Sequence, residues 1–520
     1  MSRCVIKAAC QLTVSASLAG GLGVHAERED SLPNVLIFLM DDMGYGDCRV
    51  YNPDSKVSMP NLEQLAADGM TFTDAHSPSA VCAPTRYSIL TGNYPWRGRN
   101  ENGTWMFNLP SQILPGQKTL GHLMKDAGYS TAFFGKVHLG GTVYSRTTGL
   151  PLGGWKIDFK DIDFSRPVEG GPVDQGFDYS YELPNGIQGP PYAFFENGRI
   201  TCDPEKLVMW KVGNYSDFEI KAPGFGDPGW NTSQAGPQLT GKTLQFLEQH
   251  FEKNRASGKR QPFFMHYCSQ SCHTPHNPPD RLMGVPVKGA SGAGAHLDML
   301  YEADVTLGLL LKTLEQAGEL DNTLVVFTSD NGGLIWGESA REGHKSGGPL
   351  RGGKAEIWEG GHRVPLIIRW GDGSPENSPV RPASRTDALV GLQDLFATLA
   401  VLTDTAVDAD QGLDSCSFLP VLLGRAENIR DTLFVQANAE AKPGQKLEKM
   451  VRAGSWKLVT TRNRQPLELY NLATDLSESV NLVNHPEQRS RVREMLEELK
   501  RISGSKRSTP EIKQQMKDRR

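Results

Sequence analysis

The stretch NVLIFLMDD, residues 34 to 42, places a short continuous apolar run directly before two aspartates. Such a run is typical of a strand that is buried on both faces of a parallel sheet. Runs of the same kind start at Ser130 (STAFFG), Pro262 (PFFMHYC), Asn322 (NTLVVFTS) and Val364 (VPLIIRW). Segments with helical periodicity start at Asn61, Thr119, Leu239, Leu297 and Asp387. This alternation predicts an α/β fold, with a large, mostly parallel mixed sheet sandwiched by helices.

The pattern changes from about Thr432. Strand-like runs there follow one another closely (TLFVQA, KMVRAG, WKLVTT, LELYNL) and precede the helical stretch QRSRVREMLEELKRI. They predict a smaller C-terminal antiparallel sheet closed by a helix. We therefore expect a catalytic domain over 32–430, a C-terminal α+β subdomain over 431–505 and a polar, basic tail over 506–520.

One segment of the predicted catalytic domain, about 140–237, is rich in glycine, proline and aromatic residues. It is too long for a simple connection between core elements, so we interpret it as an insertion that shapes the substrate site. Four of its aromatic residues could stack on sugar rings or simply pack in the interior: Trp155, Tyr192, Phe194 and Trp230.

The composition narrows the classes of function. The chain of 520 residues has a formal net charge of -5, which gives no indication of nucleic-acid binding. No downstream stretch has the length and apolarity of a membrane span, so no stable membrane insertion is expected. At the N-terminus, Arg3 and Lys7 precede an apolar, small-residue run that closes with VHA at Ala26. We interpret residues 1–26 as a signal peptide for export to the periplasm or the extracellular space, with a cytosolic tail as the alternative.

Polar side chains follow the predicted strands at the point where each strand ends. They are Asp41 and Asp42, then Lys136 and His138, then His273, and finally Asp330 and Asn331. In open α/β sheets, functional groups collect beyond the carboxyl ends of the strands. Three carboxylates and an amide form an oxygen-only cluster, which suits Ca²⁺ or Mg²⁺ better than zinc. Together with lysine and histidine, such a cation can hold and polarise a sulfate or phosphate group.

Cys82 stands in the stretch CAPTR, and YSILTG follows directly. Pro84 fits a first helical turn, so Cys82 lies near a helix N-terminus, where the pKa of a thiol falls. A thiolate is nevertheless a poor ligand for a hard cation. The mismatch indicates that the unmodified thiol is not the working group.

These segments resemble the type I sulfatases. CAPTR with YSILTG matches the Cys-x-Pro-Ser/Thr-Arg signature of that family, in which the cysteine is oxidised to formylglycine. The other segments match in order: LIFLMDDMGYGD, GKVHLG, SCHTPH, TSDNGG, LRGGKAEIWEGGHRVP and the closing GSWKLV and ELYNLATD. The resemblance covers nearly the whole mature chain. It implies the alkaline-phosphatase-like fold and a sulfuric ester hydrolase that acts on an aryl or carbohydrate sulfate.

The resemblance also implies a role for each matching residue. The cation, normally Ca²⁺ rather than Mg²⁺, would be held by Asp41, Asp42, Asp330, Asn331 and the modified Cys82. Hydrated formylglycine is a geminal diol, and one hydroxyl would attack sulfur with Asp330 as base. His138 would accept the proton of the second hydroxyl, so that sulfate is expelled and the aldehyde re-forms. Lys136 would orient that hydroxyl, and Arg86 would hold the hydrate.

Substrate contacts and partners follow from the same resemblance. His273 and Lys354 would grip the sulfate oxygens and assist the leaving alcohol. In the loop SAREGHKSGG, His344 is a further candidate for substrate binding beside Arg341 and Lys345, with a solvated loop as the alternative. The implied partners are a sulfated small molecule or glycan and, during maturation, a formylglycine-generating enzyme. Val137 and His362 depart from the residues common in the family, which bears on substrate preference.

Four alternatives stay open at this point. The stretch HYCSQSCHTPH, residues 266 to 276, could hold zinc, although strand residues alternate faces and cannot all converge. The same superfamily contains phosphoric and phosphonic ester hydrolases. A catalytically silent glycan-binding protein would leave Cys82 unconverted. An enzyme that uses the thiol of Cys82 directly is the last alternative.

Overall fold

The computed structural model describes residues 32–100, 105–154, 157–437 and 448–504. The predicted signal peptide and the basic tail lie outside the described residues. The helices are α1 (Pro60–Ala67), α2 (Cys82–Thr91), α3 (Leu120–Asp126), α4 (Ala235–Ser257), α5 (Ala295–Gln316), α6 (Glu338–Arg341), α7 (Glu359–His362), α8 (Asp394–Leu402), α9 (Leu419–Leu422) and α10 (Arg489–Ser503).

The strands up to the middle of the chain are β1 (Asn34–Met40), β2 (Met70–Phe72), β3 (Ala75–His76), β4 (Ser130–Lys136), β5 (Val143–Tyr144), β6 (Pro151–Leu152), β7 (Tyr179–Leu183), β8 (Phe195–Glu196), β9 (Arg199–Ile200), β10 (Val208–Trp210), β11 (Gly213–Asn214), β12 (Glu219–Ile220) and β13 (Gly224–Gly226). The later strands are β14 (Phe263–Cys268), β15 (Arg281–Leu282), β16 (Val285–Pro286), β17 (Thr323–Ser329), β18 (Leu366–Arg369), β19 (Ser384–Thr386), β20 (Val390–Gly391), β21 (Thr432–Gln436), β22 (Lys449–Ala453), β23 (Trp456–Thr460) and β24 (Pro466–Asn471).

A ten-stranded sheet forms the centre, in the order β19-β2-β18-β17-β1-β14-β4-β7-β8-β9. The pairs from β17 across β1, β14 and β4 to β7 are parallel, whereas β18 runs antiparallel to both of its neighbours. The predicted large mixed sheet is therefore confirmed. It places the carboxyl ends of β1, β4, β14 and β17 at one edge.

Both faces of the central sheet are covered by helices. Alternate residues of β1 point to opposite faces, so β1 contributes to the core on each side. Leu36, Phe38 and Met40 belong to a core shared with α1, α4 and α5. Val35, Ile37 and Leu39 belong to a second core shared with α2, α3 and α8. This double burial is the physical reason for the unbroken apolar run in β1.

The C-terminal part forms the predicted antiparallel sheet, β21-β22-β23-β24. Met495 and Leu499 of α10 pack on Phe434, Val451 and Leu458 of this sheet.

Two sequence expectations differ from the structure. The segment 140–237 is more than an insertion, because β7 pairs in parallel with β4 and extends the central sheet. The helix expected from Asp387 begins at Asp394, since Val390 and Gly391 pair with β3 and the Gly391 N–H donates to Asp394 Oδ2 at 2.8 Å. No helix within the described part of the chain is long and apolar enough to cross a membrane.

Candidate active site

The register of the central strands brings the predicted polar residues together. Met40 pairs with Ser329, so Asp41 and Asp330 leave β1 and β17 side by side. The Asp42 N–H donates to Asp330 Oδ1 at 3.2 Å, which joins the two strand ends directly. Asp42 has a φ of 67° and His138 a φ of 54°, a left-handed backbone that is uncommon outside glycine. The chain thus turns sharply after β1 and β4, as is common at functional sites.

The acidic group is compact and buried. One ligand atom from each of Asp41, Cys82 and Asp330 lies within 4.8 Å of the others, and the same holds for Asp41, Asp42 and His273. Asn331 Nδ2 donates to Asp42 Oδ1 at 2.9 Å. Asn331 Oδ1 is buried and has no hydrogen-bond partner among the described residues. Carboxylate oxygens and an unpartnered amide oxygen are the donors that a hard cation takes.

Three cationic side chains pair with the three aspartates: Arg86 Nη2 with Asp330 Oδ2 at 2.7 Å, Lys136 Nζ with Asp41 Oδ2 at 2.7 Å, and Lys354 Nζ with Asp42 Oδ1 at 2.5 Å. Arg86 Nη1 also donates to the carbonyl oxygen of Lys136 at 2.9 Å. Charges of both signs compensate one another in this buried group, as they must away from water. If a bound metal cation neutralised the three carboxylates, the three cationic side chains would give the site enough positive charge to receive an anion.

The surroundings shift the pKa values of the acids. Burial raises the pKa of Asp42, but Lys354 and then His273 outweigh it, so the pKa lies below its usual value. Burial also raises the pKa of Asp41, but the nearby Lys136 outweighs burial, so the pKa of Asp41 lies below its usual value. Burial raises the pKa of Asp330, because Arg86 compensates only in part and Asp41 adds repulsion. Asp330 is thus the carboxylate of this group that takes a proton most readily.

The two histidines of the site are held in the neutral form. Burial lowers the pKa of His138 well below its usual value, and Lys136 and Arg86 lower it further. Burial, and then Lys354, lowers the pKa of His273 to about 4. His273 Nε2 lies 3.7 Å from Asp42 Oδ2. Neutral imidazoles can accept a proton from a reacting group.

Cys82 is the first residue of α2, and Arg86 follows on the next turn. Its Sγ lies 3.2 Å from His138 Nδ1. Burial raises the pKa of the Cys82 thiol, and the nearby Lys136 and Lys354 offset this only in part. The thiolate is therefore disfavoured at neutral pH, which weakens the interpretation as a thiol enzyme.

His344 does not fit the predicted substrate contact. Its side chain is buried, and its Nε2 lies 2.8 Å from Asp47 Oδ1. Its Nδ1 faces the Lys56 N–H at 3.5 Å. Both ring nitrogens thus face groups of the protein itself, so His344 stabilises its loop.

The structure also bears on two further sequence hypotheses, a zinc site in HYCSQSCHTPH and aromatic residues that stack on sugar rings. The possible metal-binding groups found among the described residues take only His273 from HYCSQSCHTPH, so the stretch forms no zinc site of its own there. Tyr192, Phe194 and Trp230 are buried and share one aromatic cluster. They pack in the interior, and Trp155 lies outside the described residues.

The structure contains a second buried polar group that the sequence does not predict. Of its members, only His362 stands out in the sequence, as a departure from the residue common in the family. His76, Glu359 and His362 lie together, with the two Nδ1 atoms of the histidines 2.9 Å apart. Lys457 Nζ of β23 reaches this group, at 3.0 Å from Glu359 Oε1 and 3.2 Å from His362 Nε2. Since the ammonium already supplies the positive charge, the group is an ion network that links α7 and β3 to the C-terminal sheet. No sequence motif marks it, because His76 and Lys457 lie far from Glu359 and His362 in the chain.

Comparison with known proteins agrees with this geometry. The profile of the Sulfatase family matches residues 33–405. The chain belongs to the sulfatase family. A relative from Bacteroides thetaiotaomicron named N-acetylgalactosamine-6-O-sulfatase is 30% identical to this sulfatase, and the match covers 90% of this chain and 93% of the relative. Human arylsulfatase A is 29% identical, with 90% and 85% covered.

The fold of this sulfatase is shared with solved structures. One of them, described under the metabolism of glycosaminoglycans by Bacteroides thetaiotaomicron, superposes with a TM-score of 0.76 at 28% identity. The superposition covers 91% of this chain and 99% of that one. Sulfatase activity and the alkaline-phosphatase-like fold, both implied by the resemblance, are thereby confirmed.

Proposed function

We propose that this sulfatase hydrolyses a sulfate ester on a glycan, using a formylglycine made from Cys82 and a bound divalent cation. One observation carries the proposal: the Cys82 side chain lies 3.2 Å from a neutral buried histidine, His138, and within a group of cations and aspartates at one sheet edge. A relative named N-acetylgalactosamine-6-O-sulfatase supports a sulfated sugar as the substrate.

The described residues fit a hard cation. Asp41, Asp42, Asp330 and Asn331 offer only oxygen atoms, and Asn331 Oδ1 lacks a partner within the described chain. We assign these four residues and residue 82 as the ligands, with Ca²⁺ preferred over Mg²⁺ because the donors include a neutral amide and a crowded set of carboxylates. The cation would neutralise the carboxylates and polarise the sulfate oxygens.

The position of Cys82 also fits its conversion to formylglycine, which in its hydrated form supplies a hydroxyl as the nucleophile toward sulfur. Arg86 keeps its place through Asp330 and the Lys136 carbonyl, so it orients residue 82 from the next helical turn. His138 accepts a proton at the side chain of residue 82. Asp330, with its raised pKa, acts as the base for the attacking group.

Lys354 supplies positive charge for the sulfate, and Lys136 orients the second hydroxyl of residue 82. Each now pairs with a carboxylate that we assign to the cation, Asp41 and Asp42 respectively. With these carboxylates bound to a divalent cation, Lys136 would be free to contact the hydroxyl of residue 82, and Lys354 would be free to contact sulfate oxygens. His273 lies beside Asp42, and its Nδ1 faces the Thr274 carbonyl oxygen at 2.8 Å, so the neutral ring has a bare Nε2. His273 would assist the leaving oxygen from Nε2 once that nitrogen has taken up a proton.

Mass spectrometry of the tryptic peptide Val57–Arg86 tests the modification directly. The protein is made in its native host or together with a formylglycine-generating enzyme, which we propose as its maturation partner. An aldehyde at residue 82, together with sulfate release from 4-nitrophenyl sulfate, is the expected result. An intact thiol in active protein would overturn the formylglycine mechanism, and Cys82→Ala serves as the inactive control.

The same preparation separates the remaining alternatives. Cleavage of 4-nitrophenyl phosphate at a higher kcat/KM than the matched sulfate would favour a phosphatase. Binding of sulfated glycans without any sulfate release, with the aldehyde present, would favour a silent binding protein. We also propose export, since the N-terminal sequence has the pattern of a signal peptide. N-terminal sequencing of the protein from the periplasm or culture medium would test this, and we expect a start near Glu27.

A further inference from the structure

Trp336 lies on the surface although its ring is large and apolar. It is 58% exposed, and its neighbour Ile335 is 49% exposed. Within the described part of the chain, Trp336 is the only aromatic residue among the large exposed hydrophobic side chains. Exposed apolar groups of this kind, especially neighbouring ones, often mark a binding surface.

The segment that carries Trp336 is fixed to both sides of the active site. On one side, the Lys354 N–H donates to the Gly333 carbonyl oxygen at 2.9 Å. Ile335 packs against Gly353, where an added Cβ would approach Ile335 Cγ2 to 2.6 Å. Trp336 is therefore joined closely to the residue that we place on the sulfate, Lys354.

On the other side, α6 follows Trp336 directly. Ser339 Oγ of α6 lies 2.9 Å from His296 Nδ1. The ring of His296 lies 4.9 Å from that of His276, three residues after His273. The segment 333–339 therefore spans from the Lys354 side to the His273 side of the same strand edge.

We propose that Trp336 is a stacking platform for the sugar ring next to the sulfated sugar of an anionic oligosaccharide. The proposal rests on the glycan sulfatase function proposed above. A sugar ring has an apolar face of C–H groups, and covering an exposed indole with that face removes apolar surface of both partners from water. Trp336 is the next residue after Ile335, which packs on Gly353 beside Lys354, so we place the neighbouring sugar ring, rather than the sulfate, on the indole.

The test compares Trp336→Ala and Trp336→Tyr with the unchanged full-length enzyme carrying formylglycine. The three probes are 4-nitrophenyl sulfate, N-acetylgalactosamine 6-sulfate and a chondroitin 6-sulfate tetrasaccharide. For Trp336→Ala we expect KM for the tetrasaccharide to rise about 5- to 30-fold, as for loss of one aromatic stacking contact. The values for the two smaller probes should change less than about twofold, and Trp336→Tyr should restore most of the tetrasaccharide KM. Leu150→Ala, at another exposed apolar residue, serves as the control.

Equal losses on all three probes would overturn the platform, because they indicate damage to the sulfate site. Unchanged kinetics on the tetrasaccharide would overturn it as well. If the enzyme releases no sulfate from any probe although the aldehyde is present, the proposed function fails. Binding of the tetrasaccharide to Cys82→Ala, with and without Trp336→Ala and measured by isothermal titration calorimetry, then decides the platform separately. Binding that Trp336→Ala weakens supports it, and absent or unchanged binding overturns it.

Discussion

His138 combines two properties that the proposed chemistry needs. Its imidazole faces the side chain of residue 82, at 3.2 Å from Sγ. Burial lowers its pKa well below the usual value, and the cations Lys136 and Arg86 add to the shift. The ring is therefore neutral at physiological pH, which leaves one ring nitrogen without a hydrogen and able to accept a proton.

Replacement of His138 by alanine should lower kcat by about 10²- to 10⁴-fold, the range for loss of one general acid or base. Steady-state kinetics on 4-nitrophenyl sulfate measure the change, with the aldehyde content at residue 82 determined in the same sample. His485→Ala, at an exposed histidine of the C-terminal part, is the matched control. A His138→Ala enzyme with normal aldehyde content and normal kcat would contradict the assigned role.

Some side chains could be placed from the sequence and others could not. Asp41, Asp42, Asp330 and Asn331 could, because each stands directly after an apolar strand and parallel strands end at one edge. His344 was misplaced, since its partner Asp47 lies far away in the chain and no pattern links the two. Trp336 could not be recognised from the sequence, because the exposure of a single ring is a property of the folded surface.

At the scale of elements, the C-terminal sheet contacts the segment that directly precedes Cys82. Gln436 of β21 pairs with Ser79, three residues before Cys82, and the Ala80 N–H donates to the Gln436 carbonyl oxygen at 2.9 Å. In addition, Arg452 of β22 binds Asp74 through two hydrogen bonds of 3.0 and 3.2 Å. The C-terminal sheet thus supports the backbone from which α2 begins.

Lys457 of β23 completes the connection through the ion network. Its Nζ lies 3.0 Å from Glu359 Oε1 and 2.7 Å from Glu478 Oε1, and its side chain is fully buried. Because the lysine pairs with two buried carboxylates at once, its removal takes a cation from each, although Glu359 keeps its ion pair with Arg363 at 3.2 Å. Breaking such a pair is costly even where forming it contributes little net stability.

Replacement of Lys457 by methionine should therefore lower the free energy of unfolding by about 3–5 kcal/mol. Lys500→Met removes an exposed ion pair with Glu497 and should cost about 0–1 kcal/mol. Denaturant unfolding curves of both variants measure the difference. Equal effects of the two substitutions would show that the buried network does not hold the C-terminal sheet to α7 and β3.

The pH dependence of folding belongs to the whole molecule, since buried titratable groups occur throughout the central sheet. Burial lowers the pKa of His266 in β14, and Arg86 lowers it further, to about 3. In the unfolded chain this histidine binds a proton below pH of about 6.5. Below that pH the unfolded state holds more protons, so the contribution of His266 to stability is lost as the pH falls. Burial raises the pKa of Glu302 to about 8, so the contribution of Glu302 to stability increases as the pH falls below that value.

A comparison with His266→Phe isolates the histidine from these opposing groups. His266 already contacts the ring of Phe133, with centroids 5.6 Å apart, so phenylalanine suits the site. Between pH 6.5 and about 4, the variant should lose less stability than the unchanged protein, by up to about 1.4 kcal/mol per pH unit. Unfolding curves at several pH values check this, with His485→Phe as the exposed control. Parallel pH profiles of the unchanged protein and His266→Phe would contradict the buried neutral state.

Cation binding should also stabilise the whole molecule, because only the folded chain brings the strand ends of β1 and β17 together. Ca²⁺ at 100 times its dissociation constant should raise the free energy of unfolding by about 2.7 kcal/mol, and Mg²⁺ at the same concentration should raise it less. Asn331→Leu removes the buried amide oxygen that lacks a partner in the described chain and should abolish most of this gain. Asn377→Leu changes an exposed asparagine and should leave the gain intact. Thermal unfolding with a chelator and with added Ca²⁺ measures all three proteins. An equal Ca²⁺ response of both variants would place the cation at a different group of oxygens.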